Sequence, residues 1–534
     1  MKKEATGFPL VLGYLGYFLF FIGLLNLIPL VIIAFYPSEW SCYKDFLIPG
    51  VLSMLLGLLL SFLFIYKKPR ARFTRNEDSA LLVLIWLFAV LLGAMPFYVA
   101  NLFGDMKMSF SESIFESTSA YATTGLSVFK DYVEVAGAYC PHVFCFHRSF
   151  MQFVGGVGLV LIVASVLRDR DNLKLYFAEG HNDKLLPSLG RSAKLIFGIY
   201  SGYTLLGTIA FYLAGMDFFD ALNHAMCALS TAGFSTHSSS LAYYATSSGN
   251  GVFPSSPIAI EIIAIVLMLL GAISFVLHTF LFTGKFDKFA KDSEIKFSFF
   301  LLIFCAIIGF CSAANSLGWN NSSRAFRLSF FGLVSSMTTT GFSNCSIDEF
   351  LSLGKPMVLL SIILMTIGGG MGSTGGGIKQ YRVWIDFKDL GWSLRYRFSS
   401  SRTLNPKTSM RYGEFRELDE GIETEAHNYT VLYLITLLGG TLLCCFLPSF
   451  SVEEATYEFA SALSGTGLSI VDLLGYGATN PTAYPYMLWI LSVGMFIGRL
   501  EILPIYYAGR NIFDEIAYYK KAKKDKDAPL ARGE

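Results

Sequence analysis

Ten stretches of the chain are apolar over nearly their whole length: 10–35, 46–65, 81–103, 148–167, 195–215, 257–282, 297–318, 356–378, 429–447 and 484–508. Each is long enough, as a helix, to approach or cross about 30 Å of hydrocarbon. The runs are continuous rather than alternating at period two, which excludes a membrane barrel. Helices satisfy their own backbone in lipid, so ten helical spans are expected. Between spans lie four semi-apolar stretches too short to cross, at 109–124, 217–232, 324–340 and 451–466. Ser109 with Glu112 and Ser451 with Glu454 spell capping boxes that begin short helices, and Asp217 is placed to cap another.

Each short stretch runs into a glycine motif. The four read Thr123-Thr124-Gly125-Leu126-Ser127, Thr231-Ala232-Gly233-Phe234-Ser235, Thr339-Thr340-Gly341-Phe342-Ser343 and Gly465-Thr466-Gly467-Leu468-Ser469. Their glycines are 108, 108 and 126 residues apart. The unit span, short helix, glycine loop, span therefore recurs four times. A single such loop is adequately explained as a glycine ending a helix; four at matching positions indicate an architecture.

Composition agrees with the pattern. Of 534 residues 53% are hydrophobic and only 15% charged, with a mean hydropathy of +0.52. No water-soluble fold covers that much apolar surface. A net charge of +1 gives no bulk attraction for nucleic acid. The nine Cys form no regular framework, so a disulfide-stapled secreted domain is excluded. Lys2 and Lys3 precede an apolar run that continues to about Phe35 with no small-residue cleavage site, and this is read as a retained first span.

Charge does vary locally. With the N-terminus inside, 33 of the 41 Lys and Arg fall in the inner connections, nine of them in 379–427 and seven in 508–534. The asymmetry holds at every loop and places both termini in the cytoplasm.

A short helix that enters from outside and stops at mid-membrane aims its carbonyl end, about −0.5 charge, at the centre. The following glycine opens backbone angles closed to other residues. Irregular backbone at that depth must line a cavity or be buried. Four such loops around one axis supply rings of oxygens that replace an ion's hydration shell. The four five-residue loops contain no carboxylate, which suits a dehydrated monovalent cation better than a divalent one.

These loops, the segment Gly368-Gly369-Gly370-Met371-Gly372-Ser373-Thr374-Gly375-Gly376-Gly377, and Arg148-Ser149 followed by Gln152 and Gly155-Gly156-Val157-Gly158 resemble the Trk/Ktr/HKT superfamily of potassium transporters. The extra hairpin before the first repeat is similar to the TrkH-type branch rather than the KtrB type. The resemblance covers about residues 10–508. It implies an all-helical polytopic membrane protein with four pseudo-symmetric repeats around one potassium pore in a single chain. It implies a filter at Thr123, Thr124, Gly125, Thr231, Ala232, Gly233, Thr339, Thr340, Gly341, Gly465, Thr466 and Gly467, with K+ as the transported ion and no covalent cofactor. It also implies a homodimer in the inner membrane and a cytosolic nucleotide-binding regulatory subunit of the TrkA type. In related plant proteins Ser at the first filter glycine accompanies sodium transport, and this chain keeps Gly at all four positions. Gly465 stands where the other loops carry Thr.

Gly370-x-Gly372-x-x-Gly375 matches a dinucleotide fingerprint, yet no strand precedes it, so nucleotide binding is rejected there. Seven glycines in ten residues cost about 1 kcal/mol each in a helix. A broken helix across the pore is expected, the gating loop that the resemblance implies; close helix packing through small residues is the alternative. Arg499 lies inside the last span, where a buried Arg costs about 2.5–3.5 kcal/mol even on insertion scales. It either faces the pore below the filter as a barrier to K+ or snorkels toward the cytoplasm. Cys140-Pro141-His142 through Cys145 and His147 has the residue types of a zinc site without finger spacing; a disulfide or free thiols fit it as well.

The expected divisions are an N-terminal hairpin (1–66), repeats at 81–168, 190–284, 296–390 and 428–508, a basic loop (391–427) and a basic tail (509–534). The basic inner surface suits an acidic partner surface or anionic membrane lipid, or is ordinary positive-inside charge. A sodium- or proton-coupled symporter is the second class, and it calls for more intramembrane carboxylates than Glu261 and Glu501. No catalytic constellation is present, so no enzyme activity is expected.

Overall fold

A computed structural model describes residues 7–66, 75–100, 107–129, 141–158, 189–246, 254–398, 407–506 and 509. Its first two long helices, α1 (Phe8–Leu27) and α2 (Tyr43–Phe64), form a tight hairpin. Their backbones approach through small residues, Gly16 and Gly23 of α1 facing Gly57 and Gly50 of α2. This is the close packing that membrane helices use in place of a hydrophobic driving force. Ser53 donates to the Leu19 carbonyl at 2.8 Å, and Asn26 reaches the Leu92 carbonyl at 3.1 Å, tying the hairpin to the rest of the bundle. The outward face of α2 leaves Leu52, Leu55, Leu58 and Phe62 exposed, as a lipid-facing helix must.

Four units of similar design follow. The first is α3 (Arg75–Val99), short helix α4 (Phe110–Tyr121) and α5 (His142–Val157). The second is α6 (Leu189–Leu213), short helix α7 (Phe218–Leu229), α8 (Pro257–Ala272) and α9 (Phe275–Phe282). The third is α10 (Ser293–Leu317), short helix α11 (Ser322–Met337), α12 (Lys355–Ile367) and α13 (Gln380–Phe398). The last is α14 (Glu420–Cys445), short helix α15 (Val452–Ser464) and α16 (Tyr484–Arg499).

The expectation of ten membrane-spanning helices needs correction. Among the described residues six helices are long and apolar enough to cross a membrane, or seven if α8 and α9, bent by 112°, count as one. The helix that follows each glycine loop is short: α5, α8 and α16 have 16 residues and α12 has 13. Sixteen residues rise only about 24 Å. At α8 hydropathy could not see the break, because Phe275–Phe282 beyond it is as apolar as the helix. Helices α5, α8 and α16 stop close to a glycine that abuts the end of a short helix, and α12 stops at the glycine segment that begins with Gly368. The continuation of α5 beyond Gly158 lies outside the described residues.

The basic loop also holds more structure than its charge announced. Helix α13 runs on to Phe398, and strands β1 (Thr408–Arg411) and β2 (Glu414–Glu417) pair antiparallel around Tyr412-Gly413. Both turn residues have positive φ, 54° and 77°, the twist that a two-residue hairpin favours. Tyr412 N–H donates to Asp292 at 2.9 Å, so the hairpin is seated on the start of α10.

Candidate functional site: a ring of four glycine loops

The predicted caps are formed. Ser109 and Ser451 each exchange both capping-box hydrogen bonds with Glu112 and Glu454, and Asp217 accepts from the Phe219 N–H. At the far end all four short helices close alike. The N–H groups of Thr124, Ala232, Thr340 and Thr466 donate back five residues, to the carbonyls of Ser119, Cys227, Ser335 and Ser461 at 2.9–3.0 Å. The preceding residue is left-handed in each case, with φ of 54° at Thr123, 49° at Thr231, 54° at Thr339 and 68° at Gly465. This is a Schellman ending. It accounts for Gly465: that position demands positive φ, which Gly adopts freely and a β-branched Thr adopts under strain.

The glycines at 125, 233, 341 and 467 follow, also at positive φ. A Cβ added to Gly125 would strike the Ala232 carbonyl oxygen, and one on Gly233 the Thr340 oxygen. One on Gly341 would meet the Thr466 oxygen, and one on Gly467 the Thr124 oxygen. Each loop thus lies against the next and the fourth against the first. The ring is closed.

Above it opens a cavity of about 790 Å³ lined by all four of these glycines, with Arg148 and Asp472 among its walls. In three of the four units, the residue nine positions before the glycine reaches up from the short helix to brace its own loop. Glu116 accepts from the Ser127 hydroxyl at 2.9 Å and the Val128 N–H at 3.2 Å. His224 pairs with Ser235 at 2.9 Å, and Glu458 accepts from Ser469 at 2.8 Å and the Ile470 N–H at 2.9 Å. Gly332 occupies the same place in the third unit and offers no side chain. Arg148, from α5, pairs with fully buried Glu116 at 2.6 Å and lies over the rings of Phe129 and Phe234, 4.8 and 4.2 Å from their centres. None of these braces was singled out from sequence except Arg148; the fixed nine-residue offset was the available signal.

Below the ring, glycines let the second helix of three units press against the end of the short helix. Gly155 faces the Tyr121 carbonyl, Gly271 that of Leu229 and Gly498 that of Leu463. In the third unit the whole segment 368–377 is non-helical, as expected. Its two ends meet, with Gly369 N–H donating to the Gly376 carbonyl at 3.1 Å and Gln380 N–H to the Gly369 carbonyl at 3.0 Å. It docks in the break between α8 and α9: Gly370 N–H donates to Ala272 and Phe275 N–H to Gly372, both at 2.9 Å. Thr374 hydrogen-bonds Thr231 at 3.0 Å, and Gly376 N–H donates to the Thr339 hydroxyl at 2.8 Å. Met371 N–H donates to Glu294 at 2.6 Å. The segment therefore touches the underside of two loops of the ring.

Arg499 lies under the ring as well. Its guanidinium donates to the Gly155 carbonyl and sits 5.4 Å from the centre of the Trp86 ring. It lines a cavity of about 30 Å³ together with Thr123, Gly372, Gly376, Gly465 and Lys379. Buried Lys379, which sequence reasoning counted only as loop charge, donates to the Gly375 carbonyl and brings a second cation to the same place. Glu501 meets Arg382 at 2.9 Å, and the Arg382 guanidinium lies 3.9 Å from the centre of the Tyr429 ring. Among the described residues no cluster of metal-ligating side chains occurs, His142 is bound to Glu39 at 2.7 Å, and Cys42 and Cys145 are free thiols. Cys140 lies outside the described residues.

An uncharacterized cation transporter of Methanocaldococcus jannaschii is 29% identical over 507 residues, covering 94% of this chain and 95% of that protein. The Trk system potassium uptake protein TrkH of Escherichia coli is 28% identical over 450 residues, covering 82% and 86%. The crystal structure of the potassium transporter TrkH from Vibrio parahaemolyticus superposes with a TM-score of 0.77 at 24% identity, over 94% of this chain and 98% of that one. The TrkH family of cation transport proteins matches residues 44–515, and the chain, a multi-pass helical membrane protein, belongs to that family.

Proposed function

We propose that the chain is the potassium-selective pore subunit of an uptake system in the cytoplasmic membrane, with both termini inside. The observation that carries this reading is the closed ring of four carboxylate-free glycine loops at the floor of an outer cavity. The relatives named for potassium uptake support the choice of ion. The four short helices point their negative carbonyl ends at the ring, which favours a cation. The filter is Thr123 to Gly125, Thr231 to Gly233, Thr339 to Gly341 and Gly465 to Gly467. Because each filter glycine has positive φ and a neighbouring carbonyl against it, no side chain fits without moving the oxygens that select the ion.

The segment Gly368 to Gly377 is the gate, with Arg499 as an electrostatic barrier beneath the filter. The small size of the cavity shared by these groups supports a closed inner side: about 30 Å³ holds no more than about two waters. The chain works as a homodimer, and its basic cytoplasmic surface receives a nucleotide-binding regulatory subunit. Flux of K+ measured in proteoliposomes, with Na+ and H+ gradients set independently, tests the proposal. Gly125→Ser is expected to lower K+ over Na+ discrimination about tenfold or more; unchanged ion ratios would remove loop one from the filter.

A further inference from the structure

The four helices that follow the loops carry a short motif that ends on the glycine at the break. It reads Gln152-Phe153-Val154-Gly155, Met268-Leu269-Leu270-Gly271, Met365-Thr366-Ile367-Gly368 and Met495-Phe496-Ile497-Gly498. The first residue is wholly buried in all four. Three are Met, and one is a carboxamide. A buried Gln costs free energy unless its polar atoms are matched, and here both are. Gln152 Nε2 donates to the Ala232 carbonyl at 2.7 Å, and Gln152 Oε1 accepts from the Phe234 N–H at 3.2 Å. A helix of the first unit thus grips the second loop on both sides of Gly233.

The gripped loop has a deficiency of its own. The residue before the glycine is Thr124, Thr340 and Thr466 in the other loops and Ala232 in this one. In the third loop the Thr340 hydroxyl bonds that of Thr338 at 2.8 Å, and in the fourth Thr466 bonds Ser464 at 2.6 Å. These pairs lock the loop onto the end of its own short helix. The first loop lacks the pair because Ala122 stands at the partner position and the buried Thr124 hydroxyl finds no partner, yet it keeps the hydroxyl itself. The second loop lacks the hydroxyl: Ala232 has none, and the Ser230 hydroxyl turns back to the Met226 carbonyl at 2.7 Å. Two of the departures from fourfold likeness, Gln for Met and Ala for Thr, meet at one point.

We infer that Gln152 is a positioning residue for ion selection, replacing across the unit boundary the hydroxyl brace that the second loop lacks. The inference rests on the proposed filter. Removing the carboxamide leaves the Phe234 N–H and the Ala232 carbonyl buried without this partner, a loss typically large enough to shift an equilibrium about tenfold. Gln152→Met copies the residue that the other units already accommodate.

The test is the K+ to Na+ permeability ratio from reversal potentials in planar bilayers or liposome patches. Gln152→Met is expected to lower the ratio about tenfold, and adding Ala232→Thr, which restores the hydroxyl beside Ser230, to recover most of it. A wild-type protein without K+ preference overturns the filter reading itself. A selective wild type with an unchanged Gln152→Met ratio overturns this inference alone, as does a fall that Ala232→Thr leaves unrepaired. Should Gln152→Met fail to insert, the brace can be moved. Thr466→Ala removes the fourth loop's hydroxyl, and Met365→Gln supplies a carboxamide from the preceding unit. The first change should lower the ratio and the second restore it; failure of that restoration also counts against the inference.

Discussion

The two sides of the glycine ring are built from different interactions. On the outer side, loops are tied by side chains: Glu116 with Arg148, Ser127 and Val128, His224 with Ser235, Glu458 with Ser469 and Ile470. One of these ties, Glu116 with Arg148, is a buried ion pair, and removing one partner strands the other. On the inner side the segment 368–377 is held mostly through its backbone, with Thr374 and Ser373 as the main side-chain contributors. Most of its residues have no side chain to bury. Regions with few packed side chains open at lower free energy than packed cores. A rigid outer side keeps oxygens at fixed distances, and a loosely tied inner side permits movement. The division suits the proposed filter above and the proposed gate below.

The comparison can be broken most severely from the outer side. Glu116→Ala leaves the Arg148 guanidinium buried without its carboxylate, and about 3–5 kcal/mol of stability should be lost. Thermal unfolding of the detergent-solubilised protein reads this; an unchanged transition would mean that the outer ties are not what holds the ring.

Shortening the inner segment, by deleting residues between Gly370 and Gly376, should leave stability nearly intact and raise K+ flux about tenfold or more, with less dependence on any regulator. Such an increase corresponds to about 1.4 kcal/mol. Loss of flux in protein that still inserts would make the segment a packing element. Arg499→Ala is expected to act in the same direction but less, several-fold, because Lys379 remains in the same cavity. Selectivity should survive both changes, since the loops lie further out. A flux assay with K+ and Na+ in parallel separates the two properties.

The smallest effect is expected around the strand hairpin. Lys407 bridges Asp389 at 2.7 Å and Glu423 at 2.8 Å at the foot of the hairpin. Both partners raise its pKa by stabilising the charged amine. Partly exposed pairs contribute about 0–1 kcal/mol, so Lys407→Ala should shift the unfolding midpoint only slightly. A large shift would show that the hairpin bears on the packing of the inner segment.

Sequence alone determined the helical membrane class, the fourfold unit, the caps at Ser109, Asp217 and Ser451, and the positions of the four glycines. Those features follow from local rules: apolar length, the reach of a cap side chain, and the access of glycine to positive φ. The non-helical state of 368–377 was legible for the same reason, from glycine content. What only the tertiary structure decided is where apolar helices stop and which distant residues meet. The break after Ala272 leaves no mark in hydropathy, because Ile273, Phe275 and Val276 are as apolar as the helix before them. Its cause is a neighbour, the glycine segment lying in the gap. Likewise Gln152 is one polar residue in an apolar run until the fold brings Ala232 and Phe234 to its carboxamide, 80 and 82 residues along the chain. Periodicity and propensity act over a few residues; closing a ring requires contacts between units roughly a hundred residues apart, and their partners are set by three-dimensional packing.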